Sequence, residues 1–575
     1  MLTLKVRINK VITRLRCLQP MRNVLIVVLL PIILLPLPVL WNTKVFVYGK
    51  NAHKFILQES YCAYVILYMG LLWVTEAVPL AITALIPVMA FPLLGVATAA
   101  ETSGDANFVF FGSMVMAVAV ESNQLHERIA LRVLLLTGSN PRWLILGFQI
   151  ATAVISMWIS NTGTTAMMTP IALAVIQELE RCRIAIEEED YYIISHREGE
   201  EQELDMSMIP PRQLKIYKAV LLSIAFTASI GGTGTLIGTG SNVVLSGYLE
   251  SEYGSKTPVT FASWMLFVIP QCIILVLACW LWLQIIFVGF RKHDNSSDQS
   301  VKRLLVKKYK SLGPIKYEEK CILVIFVILV LLWFFRNPKF MPGWGKLFED
   351  GYVTDGTAAM GMSILMFVIP GENPLTKAND GTPYRPLLTW KHMTEKFNWG
   401  TIILLGGGYA MATGVENSGL SDFISSKLAN INNLPEWIFL SIACIMVTFL
   451  TEFSSNVATS SIFIPMVQSI AIEHGVNPLY YMIPVTLSSS FAFMFPAAPP
   501  NAIVFGTKML TIPDMVIFLS SITAIPKMLG GSMLNVVALI VSQVSINTYG
   551  RILFKLDKMP SWATLTTPGN DLSKL

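Results

Sequence analysis

The stretch Trp158-Ile-Ser-Asn-Thr-Gly-Thr-Thr165 limits the folds open to this chain more than any other: it is a polar knot between two apolar arms, 143–157 and 166–176. A helix needs about 20 residues to cross a bilayer, and each arm falls short. The arms are therefore expected to enter and leave on one side as a re-entrant hairpin, with Ser-Asn-Thr-Gly at its buried tip. The pattern recurs in Thr451-Glu-Phe-Ser-Ser-Asn-Val-Ala-Thr459, set between 437–450 and 462–472. One offset of 295 carries Asn161 onto Asn456, Pro170 onto Pro465, Glu121 onto Glu416 and Leu125 onto Leu420. So many landmarks in one register mark an internal duplication.

Composition sets the solvent. Of the 575 residues 53% are hydrophobic and 14% charged, against about 25% charged in soluble proteins. That is too little charge to cover a soluble body of this size and implies an all-α polytopic membrane protein. The net charge of +5 is small and unevenly placed, a topology signal rather than a nucleic-acid or acidic-partner surface. Seven Cys without a CxxC and six scattered His indicate neither a disulfide framework nor a transition-metal site, and no cofactor is expected.

Along the chain, residues 1–22 carry six basic residues and no acid ahead of an apolar run at 24–41, which predicts a cytoplasmic N-terminus and a first spanning helix. Runs follow at about 57–75, 78–97 and 108–124, then the first hairpin (141–179) and an acid-rich loop at 178–212. The next helix, 214–250, is broken by Ser229-Ile-Gly-Gly-Thr-Gly-Thr-Leu-Ile-Gly-Thr-Gly-Ser-Asn242, since each Gly costs roughly 1 kcal/mol in a helix interior relative to Ala. Nine basic residues between Arg291 and Lys320 place that loop inside. The second half offers runs at 319–336, 355–370 and 399–416, a hairpin at 434–473, a helix at 479–506 interrupted at Phe495-Pro-Ala-Ala-Pro-Pro-Asn501, and a run at 514–546. Asn501-Ala-Ile-Val-Phe-Gly answers Asn242-Val-Val-Leu-Ser-Gly at an offset of 259, and the missing 36 residues match the acidic loop absent from the second half.

The expected organisation is thus 1–56 as N-terminus and first helix, 57–318 and 319–546 as two repeats, and 547–575 as an extracellular tail. An odd number of crossings per repeat inverts the second copy, giving about 11 transmembrane helices with hairpins entering from opposite faces. That is the inverted-repeat plan of secondary transporters.

The tips offer Ser160, Asn161 and Thr162 with Ser455, Asn456 and Val457, and free N–H groups at the start of each second arm, where a helix dipole favours an anion. The broken helices offer backbone carbonyls suited to a small hard cation. With no Arg or Lys in either tip, neutralising an anionic substrate falls to helix ends and bound cations, which points to coupled anion uptake. Capping alone would explain such Ser-Asn pairs but not their duplication. The Gly231–Gly240 run lacks the Gly-Lys-Ser/Thr of a phosphate loop, and the lack of charged rings argues against an anion channel. Glu121 and Glu416 are read either as proton carriers or as interfacial caps, and Glu76 and Asp355 carry the same two readings. Asn295 heads a sequon in the loop placed inside, so no glycan is expected, and the patch Lys302–Lys310 serves either topology or contact with anionic lipid.

Four motifs, the duplicated Ser-Asn-Thr and Ser-Asn-Val tips, Trp73-Val-Thr-Glu-Ala-Val-Pro-Leu, Ser229-Ile-Gly-Gly-Thr-Gly-Thr and Pro500-Asn-Ala-Ile-Val-Phe, resemble the divalent anion/sodium symporters, the sodium-coupled dicarboxylate and citrate carriers. The resemblance covers nearly the whole chain. It implies a plasma-membrane homodimer with a fixed scaffold and a mobile domain carrying both hairpins, working as an elevator on di- and tricarboxylates. It further implies that Asn161, Thr162, Asn456 and Val457 hold substrate carboxylates. One sodium site would be formed by Ser156, Asn161 and carbonyls near Gly231 and Gly232, and a second by Thr451, Asn456 and the loop at Ala497 and Ala498. The chain departs from the family pattern at two places: Val457 stands where some relatives have Thr, and Pro496-Ala-Ala-Pro-Pro-Asn is one residue short. The second departure predicts weak sodium binding at the second site, and with it partial exchange or proton coupling.

Overall fold

The computed structural model describes residues 22–36, 86–94, 105–187, 209–289, 298–373, 385–397, 435–510 and 531–563, with short breaks at 138–139, 339–340, 350–351, 454 and 497, and isolated positions between 61 and 78 and at 399 and 514. The described elements are helical: α1 (Arg22–Leu34), α2 (Ile86–Leu93), α3 (Asp105–Ser122), α4 (Leu125–Thr137), α5 (Pro141–Ser156), α6 (Asn161–Glu187), α7 (Pro211–Gly232), α8 (Gly240–Tyr253), α9 (Phe261–Leu283), α10 (Asp298–Ser311), α11 (Tyr317–Arg336), α12 (Asp355–Val368), α13 (Trp390–Lys396), α14 (Glu436–Thr451), α15 (Asn456–Glu473), α16 (Pro478–Ser488), α17 (Pro499–Phe505) and α18 (Gly531–Ser545). Single π turns extend α9 through Gln284–Val288 and α18 through Ile546–Gly550. Among the described residues three helices are long and apolar enough to span a bilayer, Pro211–Gly232, Phe261–Val288 and Gly531–Phe554, or four if Phe108–Ser122 and Leu125–Thr137, bent by 67°, form one span. Glu76, Glu416 and Ala497 lie outside the described residues.

The chain divides into two compact units. The first, residues 1–125, 249–262 and 315–402, packs α12 against α3 and α11. Gly112 lets the α3 backbone touch Ala359, and Ser363 Oγ donates to the Gly112 carbonyl at 3.1 Å. Both acids suspected here have structural partners. Glu121 pairs with Lys396 at 3.1 Å, and Asp355, in the first turn of α12, takes Arg336 Nε at 2.5 Å while its carbonyl accepts from Trp333 Nε1.

The second unit, residues 126–248, 263–314 and 403–575, contains both hairpins, the second broken helix and the first up to Tyr248. Its central helix is α7, 83% buried over its apolar window, against which α5 and α6 pack, while α14 and α15 pack in the same way on α16. Hairpin arms start on caps the sequence supplies: Asn140 Oδ1 accepts from Arg142 N ahead of Pro141, and Pro435 precedes α14.

The breaks differ from expectation. In the first, α7 runs on through Gly231 and Gly232, and the chain unwinds only from Thr233 to Thr239. Those two glycines serve close approach: a Cβ on Gly231 would fall on the backbone of Ala153 in α5. In the second, α16 ends at Ser488, well before Phe495. The N–H groups of Phe493, Met494 and Phe495 are taken by a carboxylate from the hairpin tip, and a helix cannot continue through them.

Candidate functional site

Each tip is built on a hydroxyl at the last residue of its first arm. Ser156 Oγ lies 2.8 Å from Asn161 Oδ1 and 2.6 Å from the Ala228 carbonyl of α7. Thr451 Oγ1 lies 2.9 Å from Asn456 Oδ1 and 2.6 Å from the Ser489 carbonyl that caps α16. A hydroxyl has one proton, so at each tip three oxygens converge with one hydrogen among them. Such a hard, uncharged oxygen set suits a small alkali cation. Both hydroxyls are fully buried, Ser156 at 0% and Thr451 at 1% exposure. Asn161 and Asn456 also open their helices, so the oxygen sets sit beside free N–H groups and the positive ends of α6 and α15.

The broken helices are fitted to these tips. Gly232 leaves space only for the Asn161 amide, which a Cβ there would overlap. Gly240, opening α8, is covered by Val457, so the second tip rests on the restart of the first broken helix. In the converse contact α6 packs against α17. Each unwound segment is stapled by an asparagine from the helix that follows it. Asn242 Nδ2 donates to the carbonyls of Thr233 and Thr235 at 3.1 and 2.7 Å, and Asn501 Nδ2 to those of Ala492 and Phe495 at 3.0 and 2.9 Å.

Both tips grip their unwound segments as acceptors, the first through a backbone carbonyl and the second through a carboxylate. At the first, the Met157 carbonyl accepts from Thr235 Oγ1 at 2.5 Å. At the second, the position equivalent to Met157 is Glu452. Its carboxylate is 1% exposed and accepts from Phe493 N at 2.9 Å, from Met494 N and Phe495 N at 3.0 Å, and from Asn535 Nδ2 at 2.7 Å. The stretch Phe493-Met-Phe495 has no side-chain hydroxyl to offer, and the carboxylate gathers its backbone instead.

The structure brings Ser156 together with Asn161 and Thr451 with Asn456. Ser160 is exposed and caps α6, its Oγ accepting from Gly163 N at 3.2 Å. Thr162 and Ser455 are exposed, whereas Val457 is 9% exposed and turned onto Gly240. Gly231 and Gly232 are buried, and Ala498 is the N-cap of α17. The carbonyl nearest the first hydroxyl is that of Ala228, one turn before the glycines. Sequence reasoning missed Glu452, Asn242, Asn501 and Asn535. Glu452 had a signal, an acid inside a membrane-embedded motif, and the two stapling asparagines had theirs in the 259-residue offset that relates them.

Comparison with known proteins follows the same lines. A family profile described as the sodium:sulfate symporter transmembrane region matches residues 20–556. The Na(+)/citrate cotransporter of Rattus norvegicus is 40% identical over 93% of this chain and 96% of its own. Solute carrier family 13 member 2 of Homo sapiens is 39% identical over 96% and 97%, and the Na(+)/dicarboxylate cotransporter 3 of Rattus norvegicus is 35% identical over 94% of both. Among solved structures, Neisseria gonorrhoeae MtrF aligns over 80% of this chain and 83% of its own with a TM-score of 0.45 and 12% identity, too distant to bear on the argument. By the span of the profile and the identity to these carriers, the chain belongs to the sodium:sulfate symporter family, in the branch of the sodium-coupled citrate and dicarboxylate cotransporters.

Proposed function

We propose that the protein is a secondary active transporter of di- and tricarboxylates, citrate, succinate and similar Krebs-cycle intermediates, driven by sodium across the plasma membrane. The observation that carries this reading is the matched pair of oxygen sets, Ser156–Asn161–Ala228 and Thr451–Asn456–Ser489, each beside the N-terminus of a long hairpin arm. Sodium in each set places positive charge next to the exposed N–H groups, and the sum of cation and helix dipole holds a carboxylate where no Lys or Arg is present. Ser160, Asn161, Thr162, Ser455 and Asn456 orient the substrate, and Val457, by filling the space at Gly240, seats the second tip. The described atoms of the second set repeat those of the first, which favours two working cation sites over the impaired one expected from the short Pro/Ala loop.

The same reading takes the chain as an inverted repeat of about 11 crossings with repeats at 57–318 and 319–546, cytoplasmic N-terminus and extracellular C-terminus. It works as a homodimeric elevator whose moving part carries both hairpins, a counterpart of the insect citrate carrier called "I'm not dead yet". Both hairpins, the second broken helix and the first up to Tyr248 belong to one compact unit, which supports this division of labour. The test is uptake of radiolabelled citrate and succinate by purified protein in sealed vesicles without nucleotide. Accumulation against a gradient supports the proposal, whereas binding without flux, or conductance far above carrier turnover, overturns it.

A further inference from the structure

The helix α10 has no part in the site, yet it is the most strongly amphipathic cationic element among the described residues. Val301 and Leu305 are 0% and 1% exposed, on a helix that packs against α6. Lys302, Arg303, Lys307 and Lys310 are exposed and, with Val306, line an open concavity of about 570 Å³. The only acid in the helix sequence is Asp298, at its first position.

Two observations put this face at the level of lipid headgroups. The membrane-length helix Phe261–Val288 ends ten residues before α10 begins, and the apolar α11 starts six residues after it ends. Near that end Trp280 stacks on Trp143 with ring centroids 6.0 Å apart, and its Nε1 donates to the Arg142 carbonyl, while Arg142 donates to the Gly289 carbonyl at 3.3 Å. Half-exposed tryptophans at the ends of apolar helices mark the headgroup layer, so the basic helix follows directly from that layer.

The helix is also clamped. Arg128 of α4, 6% exposed, donates to the carbonyls of Gly313 and Leu312 at 2.9 and 3.1 Å, and Arg128 and Arg132 lie 5.7 and 5.8 Å from the Tyr309 ring centroid. The chain passes between its two compact units at five places, among them 125/126 and 314/315. The clamp thus joins the stretches that flank these two of the five crossings.

We infer that α10 is a binding surface for anionic phospholipid headgroups of the leaflet it lies on, and that lipid held there sets the rate of transport through the clamped crossings. Clusters of four or more Lys and Arg beside a spanning helix are attracted to such lipids, with about fivefold weaker binding for each charge removed. The rate effect rests on the proposed transport function, and lipid binding does not, so both are measured. Fluorescent phosphatidylserine and phosphatidylcholine are titrated into the full-length protein in neutral detergent. Citrate uptake is followed in phosphatidylcholine vesicles with and without one fifth phosphatidylserine. Wild type is expected to hold phosphatidylserine at least tenfold more tightly than phosphatidylcholine, and to gain several-fold in maximal uptake in the anionic vesicles at unchanged KM. The variant Lys302→Gln/Arg303→Gln/Lys307→Gln/Lys310→Gln should lose both effects while matching wild type in phosphatidylcholine, and Lys302→Arg/Lys307→Arg/Lys310→Arg should keep them. Retained phosphatidylserine preference in the neutralised variant would overturn the inference. No uptake in any vesicle with normal lipid binding would instead count against the transport reading alone.

Discussion

Replacing Glu452 by Gln changes one oxygen into an NH2 group and leaves the side-chain shape intact, which makes it the cleanest probe of how the second broken helix is held open. Oε1 accepts from Phe493 N, Met494 N and Asn535 Nδ2, and Oε2 from Met494 N and Phe495 N, all between 2.7 and 3.0 Å. Whichever oxygen becomes NH2, at least one buried N–H then faces a donor, at about 1–3 kcal/mol, and the surviving bonds lose their charge assistance at about 1 kcal/mol each. The sum, about 4 kcal/mol at the least, disfavours the native turn by roughly a thousandfold or more. The expected result is a protein that reaches the surface, since the hairpin arms and α16 are untouched, but takes up citrate at a few per cent of the wild-type rate. Surface labelling and uptake measured on the same cells separate the two. Uptake within twofold of wild type at normal surface level would refute the role given to this carboxylate.

Three further outcomes follow from the same geometry. Gly232→Ala places a methyl group where the Asn161 amide lies and should abolish uptake much as Asn161→Ala does, while Gly254→Ala, whose Cβ meets open space but whose φ of +57° strains any L residue, should lower the amount of folded protein and leave substrate affinity unchanged. Asn501→Asp and Asn242→Asp remove the two donors of each staple, leaving paired carbonyls of the unwound segments without a partner. Each should raise the sodium concentration needed for half-maximal uptake at least tenfold. Single cysteines at Ser160 and Ser455 should be labelled from opposite sides of the membrane, with reactivity that changes when citrate is added; labelling of both from one side would contradict the inverted arrangement.

The hairpins were legible because an apolar arm shorter than a bilayer, a polar tip and an apolar return admit few other folds, and because the duplication repeats them in register. The exact breaks were not. Gly231 and Gly232 read as helix breakers by propensity, but α7 persists through them because their missing side chains admit Ala153 and the Asn161 amide. The prolines at 496, 499 and 500 drew attention to the wrong end of the second break, which starts at Ser489 and is held open from Phe493 on by Glu452, 41 residues earlier. Both errors share one physical origin: tertiary contacts overrode local preference. The pairing of Glu121 with Lys396 and of Asp355 with Arg336 is likewise non-local and turns two suspected membrane acids into ordinary ion pairs.

Whether two equivalent oxygen sets at the tips bind the coupling cation is decided by the sodium dependence of citrate uptake at fixed pH, with choline as the replacement. The measurement is made on wild type, Ser156→Ala and Thr451→Val. The expected curve is sigmoidal and falls to background in choline, with each substitution reducing its steepness and shifting it to higher sodium by a similar factor. Uptake that persists in choline, or a curve altered by Ser156→Ala but untouched by Thr451→Val, would contradict it.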